Sequence, residues 1–203
     1  MFSRLFKPID YLRVRHPAKW KYDLILPIGL TLGMFFLVTV MPIKPNILGK
    51  DGLIVLINNL MGILVGFFVA SLAAVSTFNK EGMDKVIPGT PMTLRVKESS
   101  AVKNIKLTKR RYLCLLFGYL AFMSLFLYLF GGGLPYIFSN TDVLLNPKST
   151  MIFKYILCGI YFFIFTNILI TTLLGLYYLV DRIHRYEPTL QTGSSDGSDG
   201  VLE

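Results

Sequence analysis

Charge is scarce in this sequence, and its distribution matters more than its amount. Charged residues occupy 16% of the 203 positions, against about 25% in an ordinary soluble domain. Four windows hold none at all: 24–43, 52–79, 112–141 and 155–180. Each reaches the roughly 20 residues that a helix needs to cross the hydrocarbon core of a bilayer. A soluble fold rarely runs so long without a charge, so the windows predict four transmembrane helices. The same scarcity removes function classes. Coupled transporters hold ionisable residues near mid-membrane, and these windows offer none.

Histidine and cysteine are also rare, with two of each. His16 and His184 stand alone in basic segments, where a solvated surface role is expected. No His-Glu-x-x-His, Gly-x-Ser-x-Gly or Gly-x-x-x-x-Gly-Lys-Ser/Thr pattern occurs, so the chemistry those motifs support is not expected. Cys114 and Cys158 fall near the starts of the third and fourth windows, on opposite sides of a bilayer. That separation is far beyond disulfide reach, and no histidine joins either in a metal-binding spacing. The sequence therefore predicts no catalytic residue, no metal site and no cofactor.

Basic residues outnumber acidic ones by 21 to 12, giving a net charge of +9. Arg4, Lys7, Arg13, Arg15, Lys19 and Lys21 precede the first window. The loop 80–111 carries nine more, whereas the connection after the first window has only Lys44 and Lys50. Basic segments stay cytoplasmic during insertion. The prediction is an all-α membrane protein with helices at about 24–42, 53–79, 112–135 and 152–180. Both termini and the loop 80–111 are then cytoplasmic. The first apolar run lacks a small-residue cleavage site behind a short core, so it is expected to be a retained helix.

Within that frame, residues 1–22 place Phe2, Leu5, Phe6, Ile9 and Leu12 on one helical face, with Arg4, Lys7 and Arg13 flanking it. Trp20 and Tyr22 follow at interfacial depth. This predicts an amphipathic segment on the membrane surface. The transmembrane domain covers 23–180, and the tail 181–203 ends in a Gly/Ser/Asp-rich stretch expected to be disordered. Gly29 and Gly33, and then Gly62, Gly66, Ala70 and Ala74, recur every four residues. Such a seam lets another helix approach closely, within one copy or between copies. Gly131, Gly132, Gly133 and Pro135 are expected to loosen the end of the third helix. Asn58, Asn59, Asn167 and Thr171 are the intramembrane polar candidates, either as interhelical glue or as a pore lining.

The loop 80–111 divides into a helix stop at Asn79–Gly82, a turn-rich "VIPGTP" stretch, and an alternating run Met92–Lys97 that reads as a weak strand. A helix is expected from about Ser99 into the third span. Glu81 and Asp84 are expected to pair with neighbouring lysines or to stay solvated. Lys103, Lys106, Lys109, Arg110 and Arg111 form a basic cluster suited to anionic lipid or nucleic acid. Phe78, Asn79, Lys80, Glu81, Asp84, Lys85, Pro88, Pro91 and Arg95 are read as a docking element for a cytoplasmic protein partner, because helix stopping accounts for Asn79–Gly82 and topology for the downstream basic residues, but neither accounts for the turn-rich middle from Met83 to Leu94.

The stretch "FVASLAAVSTFNKEGMDKVIPGTP", the basic loop after it and the overall size resemble small four-span membrane subunits of bacterial anti-phage systems. The resemblance is to the membrane subunit of Kiwa-type defence in particular, with retron-type membrane effectors as a neighbouring likeness. It implies a homo-oligomer in the bacterial inner membrane that senses phage-induced membrane disturbance and holds a DNA-binding cytoplasmic partner. Nucleic acid would then be reached only through that partner. The expected function is a non-enzymatic scaffold or sensor, multi-pass in the cytoplasmic membrane and in contact with its lipids. A pore-forming or depolarising effector and a small transporter are the alternatives.

Overall fold

A computed structural model describes residues 6–15, 19–42, 46–47, 52–77, 83–84, 86, 92–98, 101–144 and 147–182. Four helices are long and apolar enough to cross a membrane, over Lys21–Val40, Leu53–Thr77, Lys109–Phe138 and Lys148–Val180. The chain is thus a multi-pass membrane protein. Helix α1 (Leu26–Val40) continues a π-helical turn at Lys21–Ile25 and carries Pro27 in its first turn, where a missing N–H costs nothing. Helix α2 spans Leu53–Thr77, α3 spans Lys109–Leu144, and α4 spans Pro147–Tyr177 before a second π-helical turn at Tyr178–Arg182.

Helices α2, α3 and α4 pack antiparallel to their neighbours. Tyr112 meets Tyr178, Leu116 meets Gly175, and Tyr161 meets Gly131 along α3 and α4. Tyr128 of α3 lies over Gly62 of α2. Phe68, Leu116, Phe117, Leu120, Leu127 and Ile168 fill the shared core. Helix α1 leans on α4, through Phe35 against Phe162 and Thr31 against Thr166. Its outer surface, including Leu32 and Phe36, is exposed, as expected of a helix that faces lipid.

Two expectations are corrected here. The third helix does not loosen at Gly131–Gly133 but continues through Pro135 to Leu144. Gly131 is used for contact instead. A Cβ there would lie 2.6 Å from Asn58 Oδ1 and 2.8 Å from Tyr161 Cε2, so any larger residue would push the Asn58 amide and the Tyr161 ring out of place. A proline is tolerated in such a helix because neighbouring groups re-satisfy the backbone. Nor does a helix begin near Ser99. Residues 101–106 form strand β3 (Ala101–Lys106), antiparallel to β2 (Thr93–Glu98). Val102 and Ile105 favour a pleated surface. The helix starts only after Thr108, whose hydroxyl accepts the Arg111 N–H at 3.3 Å as an N-cap.

The third strand of this sheet comes from the far N-terminal part. Strand β1 (Val14–Arg15) pairs antiparallel with β2, giving the order β1-β2-β3 with Val14 opposite Leu94 and Arg15 opposite Thr93. Val14, Met92 and Leu94 are buried against the helix ends together with Leu107, Tyr112 and Met83. The sheet thus caps one end of the bundle, termed the sheet end below.

Candidate functional site: a buried polar joint at the sheet end

Residues 7–13 form a short 3-10 helix with Pro8 in its first turn. It docks on α3. The buried side chain is Tyr11, whereas Phe6 and Leu12 from the predicted apolar face are about half exposed. Tyr11 stacks on Tyr119 with ring centroids 4.9 Å apart and tilts against Tyr112 at 6.3 Å. Phe6 meets Phe122 edge-on further along α3.

The chain then leaves to form β1 and returns as Lys19. The Lys19 ammonium donates to the Tyr11 carbonyl, sits 4.2 Å from the centre of the Tyr11 ring, and pairs with Asp23 at 3.3 Å. Lys19 and Asp23 are four residues apart on one helical face. Their side chains are only 12% and 14% exposed. Asn167 extends the joint into α4: its amide donates to the Asp23 carbonyl at 2.9 Å and its oxygen accepts from the Tyr119 hydroxyl at 2.8 Å. Tyr11 and Lys19 of the N-terminal segment, Asp23 of the π-helical turn before α1, Tyr119 of α3 and Asn167 of α4 therefore share one polar cluster.

Burial lowers the Lys19 pKa, and attraction to Asp23 only partly opposes that shift. Desolvation outweighs the pairing, so the ion pair fixes geometry more than it adds stability. Burial also raises the Tyr11 pKa well above that of a free phenol, with Tyr112 and Asp23 adding to it. Nothing in the cluster resembles an activated nucleophile. Its capacity is mechanical, because a shift of α1 against α3 or α4 must disturb Lys19, Tyr11 and the strand that follows.

The sequence-predicted residues are distributed more widely. Asn167 is in the joint. Asn58 lies beside Gly131 with its Oδ1 buried and without a hydrogen-bond partner, as are Ser124 Oγ and Thr171 Oγ1. Asn59 is exposed on α2. A Cβ added at Gly29, Gly33 or Gly66 would meet nothing within 4 Å, and Ala70 and Ala74 are exposed, so among the described residues Gly62, beside Tyr128, is the seam position with a close contact within one copy.

In the loop, Asp84 pairs with Arg110 at 3.0 Å while its side chain stays 74% exposed, and the Arg110 N–H donates to the Met83 carbonyl; Lys80 and Lys85 lie outside the described residues. Lys106 and Arg111 are exposed and Lys109 is half-buried. Arg95 and Lys103 lie on β2 and β3. Phe78, Asn79, Lys80, Glu81, Lys85, Pro88 and Pro91 fall outside the described residues. Among the described residues, no group of three or more His, Cys, Asp or Glu is placed to hold a metal ion.

Sequence reading missed Tyr11, Lys19, Asp23 and Tyr119. The available signal was an acidic residue directly before the first apolar run with a lysine four positions earlier. Comparison with protein families, curated proteins and solved structures finds no match to this chain.

Proposed function

We propose that the chain is a non-enzymatic scaffold or sensor subunit of the bacterial inner membrane. In this reading it self-associates, has its sheet end in the cytoplasm, and presents the loop around 78–111 to a cytoplasmic protein partner. Anti-phage defence is the setting we favour. The observation that carries the reading is the continuity from helices to sheet. Asn167 and Tyr119 hold Asp23 and Lys19, Lys19 holds Tyr11, and the next residues are the strand that pairs with β2. A change in helix packing biases the sheet through these contacts, as a two-state element must. The 3-10 helix then serves as the interfacial segment, with Phe6 and Leu12 in the headgroup region.

The test is affinity purification from the native host in mild detergent, comparing wild type with an 82–97 deletion that remains inserted and oligomeric. A stoichiometric soluble partner that is lost with the deletion supports the reading. Undiminished co-purification refutes it. A second reading, a pore or small transporter, draws on the unpartnered buried atoms Asn58 Oδ1, Ser124 Oγ and Thr171 Oγ1. It predicts ion or solute flux in liposomes that Asn167→Leu changes.

A further inference from the structure

The register of the three-stranded sheet places four of its five basic residues on one face, with Lys103 on the other. Directly paired residues in an antiparallel ladder share a face, and alternate residues along a strand return to it. The pairs Arg15↔Thr93, Thr93↔Lys106, Arg95↔Asn104 and Lys97↔Val102 therefore place Arg15, Arg95, Lys97 and Lys106 at register positions of one face. No acidic residue shares these positions, and Glu98 belongs to the other face. That other face is turned to the helices: Val14 and Met92 line a cavity of about 50 Å³ with Tyr22, Tyr112, Leu174 and Tyr178. The basic face is averted from the bundle, and its Asn104 and Lys106 are exposed. Membrane topology requires a number of basic residues. It does not require that they share one side of a sheet.

We infer that this face binds the anionic phospholipid headgroups of the leaflet at the sheet end, so that the hairpin reads leaflet charge. This deepens the sensor reading above and rests on it for its biological meaning. Position carries the argument. Trp20, Tyr22 and Tyr177 are exposed at this end, where amphipathic rings mark the membrane interface. Tyr22 lines the same cavity as Val14 and Met92, so the foot of the sheet stands at that ring. Arg15 and Lys106 pair with Thr93 at the foot and Arg95 is about 7 Å further along, so these three positions lie within about one Debye length of the foot, with Lys97 just beyond it at about 13 Å.

Chemistry agrees. The other residues that share the face are Thr93, Val102 and Asn104, which provide neither rings for base stacking nor a large apolar anchor for a protein. A nucleic acid would also have to approach the same negative surface that attracts the face. The headgroups are already present at high local concentration.

The test places the full chain in nanodiscs of zwitterionic lipid, with and without phosphatidylglycerol, and follows amide hydrogen exchange over Thr93–Lys106. The inference expects slower exchange in the anionic discs and loss of that difference at high salt. Each cation near such a surface contributes about fivefold in affinity. Arg95→Gln/Lys97→Gln/Lys106→Gln should therefore weaken the interaction by about 25- to 100-fold, with Lys97 contributing least, and remove the lipid-dependent protection. The lysine-for-arginine exchange Arg95→Lys should keep it. Should the triple variant exchange fast even in zwitterionic discs, the wild-type lipid and salt series decides alone. Equal wild-type exchange in both lipids overturns the inference. So does an oligonucleotide that protects the hairpin more than phosphatidylglycerol does, which would assign the face to nucleic acid. No protein partner is present, so failure here leaves the partner-docking test intact, and the reverse also holds.

Discussion

Replacing Lys19 with methionine tests whether the polar joint holds the N-terminal segment to the bundle. The substitution keeps most of the apolar stem but removes the ammonium, leaving the Asp23 carboxylate, 14% exposed, without its partner. Breaking one side of a buried ion pair costs about 3–5 kcal/mol. The contacts to the Tyr11 carbonyl and ring are lost as well. If that cost falls on docking of the segment, amide exchange of the Val14–Leu94 ladder accelerates by about a hundred- to several-thousandfold, at 1.4 kcal/mol per factor of ten. Adding Asp23→Leu removes the stranded carboxylate. Much of the loss should then return, because a well-packed apolar pair often equals a buried ion pair. The residual deficit, on the order of 1–2 kcal/mol, is that of the Tyr11 carbonyl hydrogen bond and the cation–ring contact. The assay is hydrogen exchange in nanodiscs on wild type, both single variants and the double variant. If the double variant is no better protected than Lys19→Met, the two residues are not coupled and the reasoning fails.

Other perturbations separate the remaining contacts. Gly131→Ala should destabilise the fold by about 1–3 kcal/mol, since the added methyl meets Asn58 and Tyr161 at 2.6 and 2.8 Å. Gly66→Ala, with nothing within 4 Å, should be neutral or stabilise by up to about 1 kcal/mol, and thermal unfolding in detergent compares the two. Tyr119→Phe leaves Asn167 Oδ1 buried without its donor, a cost of about 1–3 kcal/mol; exchange at the 3-10 helix should rise without loss of the Tyr11 ring stack. The buried Tyr11 phenol titrates above its ordinary value of 10.0. A raised folded pKa makes its contribution complete below about pH 10 and lost as pH climbs toward the folded value. Tyrosinate absorbance should therefore show this ring ionising late, and ionising together with release of the segment.

The four spans were legible because a bilayer demands long charge-free windows, and the helices fall on them. Their ends were less so. Gly131–Gly133 and Pro135 would break a helix in water. Here Gly131 fits against Asn58 and Tyr161, which lie elsewhere in the sequence. Residues 101–106 carry two β-branched side chains at positions that also fit a helix, and pairing with β2 decides between them. In the N-terminal segment, periodicity favoured Phe6, Ile9 and Leu12. Tyr11 is buried instead because Tyr119, Tyr112 and Lys19 provide a ring stack, a tilted ring and a cation. Asp23 sits one position before the first charge-free window, and only the partners on α3 and α4 draw it into the bundle. The small-residue seam shows a limit of spacing arguments, since the same repeat suits a helix neighbour, a second copy or lipid.

The sheet also sets an order of events during synthesis. Val14 pairs with Leu94, and Asp23 meets Asn167 with 144 positions between them. At about 5–20 residues per second, the ribosome takes about 4–16 s to pass from the first strand to its partner. It takes roughly twice as long to reach Asn167. Throughout that interval the opening segment has only its own local contacts, such as Lys19 with Tyr11 and Asp23, while two spans enter the bilayer after it. The earliest residues made are thus among the last to find their contacts. A chain stalled or truncated before α3 would leave Tyr11 without its ring stack, and one that ended before α4 would still lack the Asn167 contact to Asp23.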